Sequence, residues 1–141
     1  MIGFLFSVIA GAAMSVQGVM NTRLQEHVGL WEANAYVQGT AFALSLAVMW
    51  LFGTGSLGAL ASAPKGYLLG GALGLVITLT VMLGIGALSP TVAISVILLS
   101  QLATAALIDG VGWLGAERAA FSWRQAMGLA LMAGGILAIK S

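Results

Sequence analysis

Charged side chains interrupt this chain at few places, and the stretches between them set its elements. Four charge-free runs stand out: Ile2 to Thr22, Ala33 to Pro64, Gly66 to Ile108 and Gln125 to Ile139. A helix that crosses the hydrocarbon core needs about 20 apolar residues, each rising about 1.5 Å. The third run can hold two such helices, and Ser89-Pro90 divides them. Proline at a first helical position costs no hydrogen bond, and the serine before it can cap the exposed N–H groups. Pro64, after Ser62-Ala63, is expected to open a helix in the same way. Thr54 to Ala63 is weakly apolar and rich in small residues, so it reads as a surface loop, and Ala116 to Ser122 forms the other longer connection.

The pattern therefore predicts an all-α integral membrane fold of five transmembrane helices, one domain over residues 1–141, with helices at about 2–22, 31–53, 65–87, 90–110 and 122–140. An odd count places the two termini on opposite faces of the membrane. Ala10 to Ala13 resembles a small-residue cleavage site after an apolar stretch, yet no Lys or Arg precedes it, so the first helix is expected to be retained.

Composition agrees and narrows the function classes. Six residues in ten are hydrophobic, 60%, and only 6% are charged, against about 25% in soluble domains. There are no cysteines, which excludes disulfides, thiolate metal sites and cysteine nucleophiles. No serine has a His and Asp arranged to activate it, and no phosphate loop is present. The reading is a non-enzyme without cofactor or metal, with no signal for nucleic acid. The single histidine, His27, falls in the Gln25-Glu26-His27 connection and is expected to be solvated.

Orientation is nearly balanced. With five spans, Lys65, Arg118 and Arg124 fall on the side of the N-terminus, and Arg23 and Lys140 on the other. Topology follows the Lys/Arg excess in short loops, and an excess of one charge fixes no direction. Insertion both ways suits a small chain that lacks an internal repeat, because transporters commonly build their path from two inverted halves meeting at the midplane. The expected partner is a second copy, arranged antiparallel, within the surrounding membrane lipid.

Helices in lipid associate through small residues and interhelical hydrogen bonds. The third helix has Gly66, Gly70, Gly74 and Thr78 at four-residue steps; the fifth has Ala126, Ala130, Gly134 and Ala138, with Gly128 and Gly135 on an adjoining face. Gly70, Gly74, Gly128, Gly134 and Gly135 are the candidate packing or dimer positions. In the first helix Ser7, Gly11, Met14, Gly18 and Asn21 share one stripe.

Three helices each carry a carboxamide at depth: Gln17, Gln38 and Gln101. Carboxamides donate and accept hydrogen bonds without a charge of their own, so they can line a path for a polar solute or tie one helix to another. Asn21 lies at the far edge of the first span and Tyr36 adds stacking surface on the second, completing the candidate substrate-binding set. Two acids are coupling candidates. Glu32 follows Trp31 at the start of the second helix, where the dipole favours an anion. Asp109 ends the fourth helix, where the dipole disfavours one; Gly110 is expected to break the helix there, and Arg118 or Arg124 to compensate the charge.

The run GAAMSVQGVMNTRL, the stretch from Ser100-Gln101-Leu102 to Ile108-Asp109-Gly110 with Gly112 following, and the closing MGLALMAGGILAIK resemble the short five-helix YdcZ-type branch of the drug/metabolite transporter superfamily. Gln17, Asn21, Gln101 and Asp109 are the matching polar positions. The closing helix is also similar to the dimerising last helix of the small multidrug resistance proteins, with Gly128, Leu131-Met132 and Gly135-Ile136 in the corresponding places. That group's membrane-embedded glutamate in the first helix is missing here. The resemblance implies a half-transporter that pairs antiparallel into an inverted-repeat ten-helix assembly in the bacterial inner membrane. The expected function is secondary transport of a small polar or amphipathic metabolite. A small dual-topology ion channel and a non-transporting subunit that needs a different partner are the alternatives.

Overall fold

The structure, a computed structural model, describes residues 1–140. It is helical throughout, with no strand among the described residues: α1 spans Ile2–Val28, α2 Leu30–Phe52, α3 Gly70–Ala87, α4 Pro90–Val111 and α5 Trp123–Lys140. An α-helix lies in each of the five expected stretches. Four segments, Ile2–Val28, Leu30–Phe52, Lys65–Ala87 and Pro90–Val111, are long and apolar enough to cross a membrane. The fifth helix is 18 residues long and includes Arg124 and Lys140, and it is not among the four.

The chain forms two compact units, Met1–Ala87 and Leu88–Ser141. In the first, α1 packs on both α2 and α3, and α2 touches α3. Its core is small: Ala33, Met82 and Ile85, with Gly18, Asn21, Thr22 and Asn34. All lie towards the α1–α2 turn and the C-terminal half of α3, whereas residues 2–14 of α1 and 39–52 of α2 are exposed. In the second unit α4 packs against α5.

Helix ends depart from the charge pattern. α1 was expected to stop near Thr22 and continues to Val28, because a charge does not end a helix. Arg23 Nη1 and Glu26 Oε2 form an i,i+3 ion pair at 3.0 Å, and a basic side chain in the last turn, His27, suits the helix dipole. His27 is thus helical and not in a connection. Gly29 ends α1 and starts α2 as a single linking residue, with φ 100° and ψ 158°, a region open essentially to glycine alone. The Glu32 carboxylate lies where a Cβ on Gly29 would stand. Gly29→Ala is therefore expected to cost about 1–3 kcal/mol, read as a lower unfolding midpoint in detergent.

Ser89 and Pro90 behave as expected: Pro90 opens α4 and the Val92 N–H donates to Ser89 Oγ at 3.4 Å. Pro64 does not open an α-helix. It precedes a 3₁₀ turn, Lys65–Leu69, and α3 proper begins at Gly70. The 54–63 connection is likewise not wholly irregular, since Leu57–Ser62 is a 3₁₀ helix.

Gly110 does not break α4. The helix runs to Val111 and ends at Gly112, whose left-handed φ 70° and ψ 36° let its N–H reach Ile108 O at 2.8 Å. The chain then folds back over the helix end: the Ala119 N–H donates to Asp109 O at 2.9 Å and Arg118 Nε to Gly110 O at 3.1 Å. These bonds satisfy last-turn carbonyls that otherwise lack partners.

The glycine stripes are only partly used. A Cβ at Gly18 would lie 2.8 Å from Ile85 Cδ1 and 3.1 Å from Val81 Cγ1, so α1 and α3 meet there; Gly3 and Gly11 face open space. On α3, a Cβ at Gly74 would come within 3.9 Å of Gln38 Nε2, while Gly70, and Gly66 in the 3₁₀ turn before it, have nothing near. Gly128, Gly134 and Gly135 also face open space.

Candidate functional site

Hydroxyls inside a membrane must find acceptors within the protein, and here most return to their own helix. Ser15 Oγ donates to Gly11 O at 2.9 Å, Thr22 Oγ1 to Gly18 O at 2.8 Å, Thr40 Oγ1 to Tyr36 O at 2.9 Å and Ser95 Oγ to Thr91 O at 2.7 Å. The carboxamides have no such local solution, so their partners reveal what they do.

Gln38 ties two helices together: its Nε2 donates to Thr78 Oγ1 at 3.5 Å. Interhelical bonds of this kind average about 0.6 kcal/mol in membranes, and at this length Thr78→Val is expected to cost less than about 1 kcal/mol, measured as reversible unfolding in mixed micelles. Gln25 Nε2 donates to Met82 O at 3.5 Å, joining α1 to α3. Its Oε1, and Asn34 Oδ1 on α2, are buried acceptors without a donor among the described residues.

Gln17, Asn21 and Tyr36 come together. They line one groove of about 700 Å³ between α1 and α2, with Arg23, His27 and Thr40 as the other polar residues. The volume falls within the range of about 300–1,000 Å³ usual for small-molecule sites. Its remaining walls are aliphatic, among them Met20, Leu24 and Leu44. The two α1 carboxamides that line this groove differ in burial within the protein. Asn21 is 8% exposed, while Gln17 lies open along the groove. Neither amide has a hydrogen-bond partner among the described residues.

Along α1, Gln17 and Arg23 are about 9 Å apart by helical rise, which orders the groove. Arg23 and His27 stand near the Gly29 turn, and Gln17 and Leu44 lie towards the membrane interior. The sequence reading missed Arg23, His27 and Thr40. The signal was present as a run at three- and four-residue steps from Gln17 through Met20 and Arg23 or Leu24 to His27, and it was cut by the early end assigned to α1.

The other site candidates lie elsewhere. Gln101 is exposed on α4 in the second unit. Glu32 sits in the first turn of α2, beside Gly29. Asp109 is exposed and its carboxylate pairs with neither Arg118 nor Arg124, correcting the expected compensation: Arg118 bonds the Gly110 carbonyl instead. Arg23–Glu26 is the ion pair found among the described residues. The second unit has its own groove of about 400 Å³, lined by Ala103, Leu107, Val111, Phe121 and Leu129 among others, and wholly apolar in its side chains.

No curated protein and no solved structure matches the chain. The family model described as "Putative inner membrane exporter, YdcZ" matches residues 2–138. The match takes in every element from α1 to most of α5, and with the apolar helices it makes this an integral protein of the inner membrane. The chain belongs to the DMT_YdcZ family.

Proposed function

We propose that the chain is half of a secondary transporter that exports a small polar or amphipathic solute, alternating access within an antiparallel homodimer. The observation that carries this reading is the α1–α2 groove, where Gln17, Asn21 and Tyr36 converge between membrane-length helices and the two carboxamides lack protein partners. An uncompensated amide in an apolar setting costs roughly 1–3 kcal/mol, which a solute can offset.

α5 serves as the fifth span in this reading. Its 18 residues reach about 27 Å, close to the roughly 30 Å of the hydrocarbon core. Arg124 and Lys140 at its ends can snorkel to the interfaces. A second copy would use the faces that α5 leaves uncovered. Gly128, Leu129, Met132, Ala133 and Ile136 are half-buried, whereas Ala126, Ala130 and Gly134 are exposed. Gly134→Leu is expected to abolish dimer crosslinking in reconstituted vesicles while leaving the helical circular dichroism spectrum unchanged; an intact crosslinked dimer would reject this face.

The transport reading is tested with everted membrane vesicles from cells expressing the chain, incubated with a mixed metabolite extract and energised with a proton gradient. Solutes that accumulate only when the chain is present, found by mass spectrometry, support it. No accumulation, together with steady ion currents in planar bilayers, would replace it with the channel alternative.

A further inference from the structure

We infer that the α1–α2 groove recognises an anionic head group carried on an apolar body. The inference rests on the transport reading for its biological setting and names the substrate class of the same site. It stands on how the groove's polar groups are distributed.

No residue lining the groove is acidic, while Arg23 and His27 stand together at its turn end. Arg23 uses Nη1 on Glu26, at 3.3 Å to Oε1 and 3.0 Å to Oε2. Glu26 itself does not line the groove. A guanidinium has five N–H donors in a planar fork, so Nε and Nη2 remain for a carboxylate, sulfonate or phosphate. The pair is open to water, with side-chain exposures of 74% and 49%, and exposed pairs of this kind hold weakly. His27 offers an imidazole N–H in either protonation state.

Below this end the walls turn aliphatic, with Val37, Ala41, Met20 and Leu44, interrupted by Asn21, Tyr36 and Gln17. Asn21 is the second, independent observation. It is more than nine-tenths buried, lines the groove, and has no hydrogen-bond partner among the described residues. Asn21 and Arg23 are two residues apart on α1, about 200° around the helix axis, so the Asn21 amide is a donor separate from the Arg23 guanidinium. A cation entering the same end would meet the Arg23 guanidinium and no acid in the groove lining, since Glu26 stands outside it.

The probes are a pair matched in chain length and permanently charged, octanesulfonate and octyltrimethylammonium. Binding is measured by calorimetry on the full chain in phosphatidylcholine nanodiscs, with empty discs subtracted. Octanesulfonate is expected to bind at least tenfold more tightly than octyltrimethylammonium. Arg23→Gln is expected to remove that preference, and Glu26→Gln to raise octanesulfonate affinity severalfold by releasing the guanidinium. Circular dichroism melts confirm that both variants remain folded. Discs with one-fifth phosphatidylglycerol identify the source of the anion: weakened octanesulfonate binding points to lipid head groups, and unchanged binding to a dissolved solute. Anion recognition stands in both cases.

Equal or tighter binding of the cation, or an anion preference that survives in folded Arg23→Gln, overturns the inference. The transport reading fails separately. Anion-selective binding without vesicle accumulation of any solute leaves recognition intact and removes transport, whereas Gln17-dependent accumulation of a neutral or cationic solute keeps transport and removes this inference.

Discussion

Gly18→Leu is expected to unpack the first unit, lowering its unfolding midpoint by more than any other single glycine replacement within α1. A Cβ at Gly18 would already stand 2.8 Å from Ile85 Cδ1 and 3.1 Å from Val81 Cγ1. Alanine is tolerable, because Ile85 Cδ1 is the far end of a flexible side chain. Leucine adds three more carbons at the place where Ile85 is 5% exposed and Met82 fully buried. Overpacking of this kind costs about 1–3 kcal/mol and sometimes more, and α1 would have to move off α3. The shift also strains the bond from Gln25 Nε2 to Met82 O two turns further on. Gly11→Leu is the control: nothing lies within 4 Å of its Cβ position, and its stability should match the parent within about 0.5 kcal/mol. Equal loss in the two variants would mean that glycine's backbone, and not the α1–α3 contact, sets the effect.

Gln17→Leu is expected to reduce solute accumulation in vesicles to background without lowering the unfolding midpoint. The side chain lines the groove and makes no hydrogen bond to another described residue, so leucine removes no protein contact and relieves an amide of its apolar setting. Any stability change should be neutral or favourable, up to about 1 kcal/mol. A fall in transport with an unchanged melt separates a solute-binding role from a packing role. Transport at parental rate would remove Gln17 from the path. Gln38→Leu provides the contrast. It breaks the 3.5 Å bond to Thr78, so a small stability loss should precede any change in flux.

Much of the architecture was readable from the chain, because lipid imposes simple length rules on apolar runs. The division at Ser89-Pro90 followed from cap chemistry, and the structure has that cap. Boundaries failed where charge was used as punctuation. Arg23, Glu26 and His27 sit comfortably on the last turns of α1, and the residue that ends the helix is Gly29. Asp109 and Gly110 likewise stayed helical until Gly112 supplied the left-handed turn. Backbone conformation ends these helices, and hydropathy does not report it.

The same error hid part of the candidate groove. Gln17, Asn21 and Tyr36 were legible as polar residues at membrane depth, but Arg23 and His27 were assigned to a connection and so were never placed on the same helical face. Periodicity also could not tell used from unused stripes. Gly18 and Gly70 look alike in the sequence, yet one faces Ile85 and the other open space. Which stripe is used depends on where helices cross, a tertiary property that small-residue spacing permits without selecting.

The one-residue link at Gly29 also bears on biogenesis. With no loop between them, α1 and α2 form one unit for insertion. They are expected to enter as a helical hairpin, with Arg23, Glu26 and His27 kept together near its tip. The α1–α2 groove lies wholly within that hairpin, so whichever face of the membrane receives the hairpin tip also receives the Arg23 and His27 end of the groove.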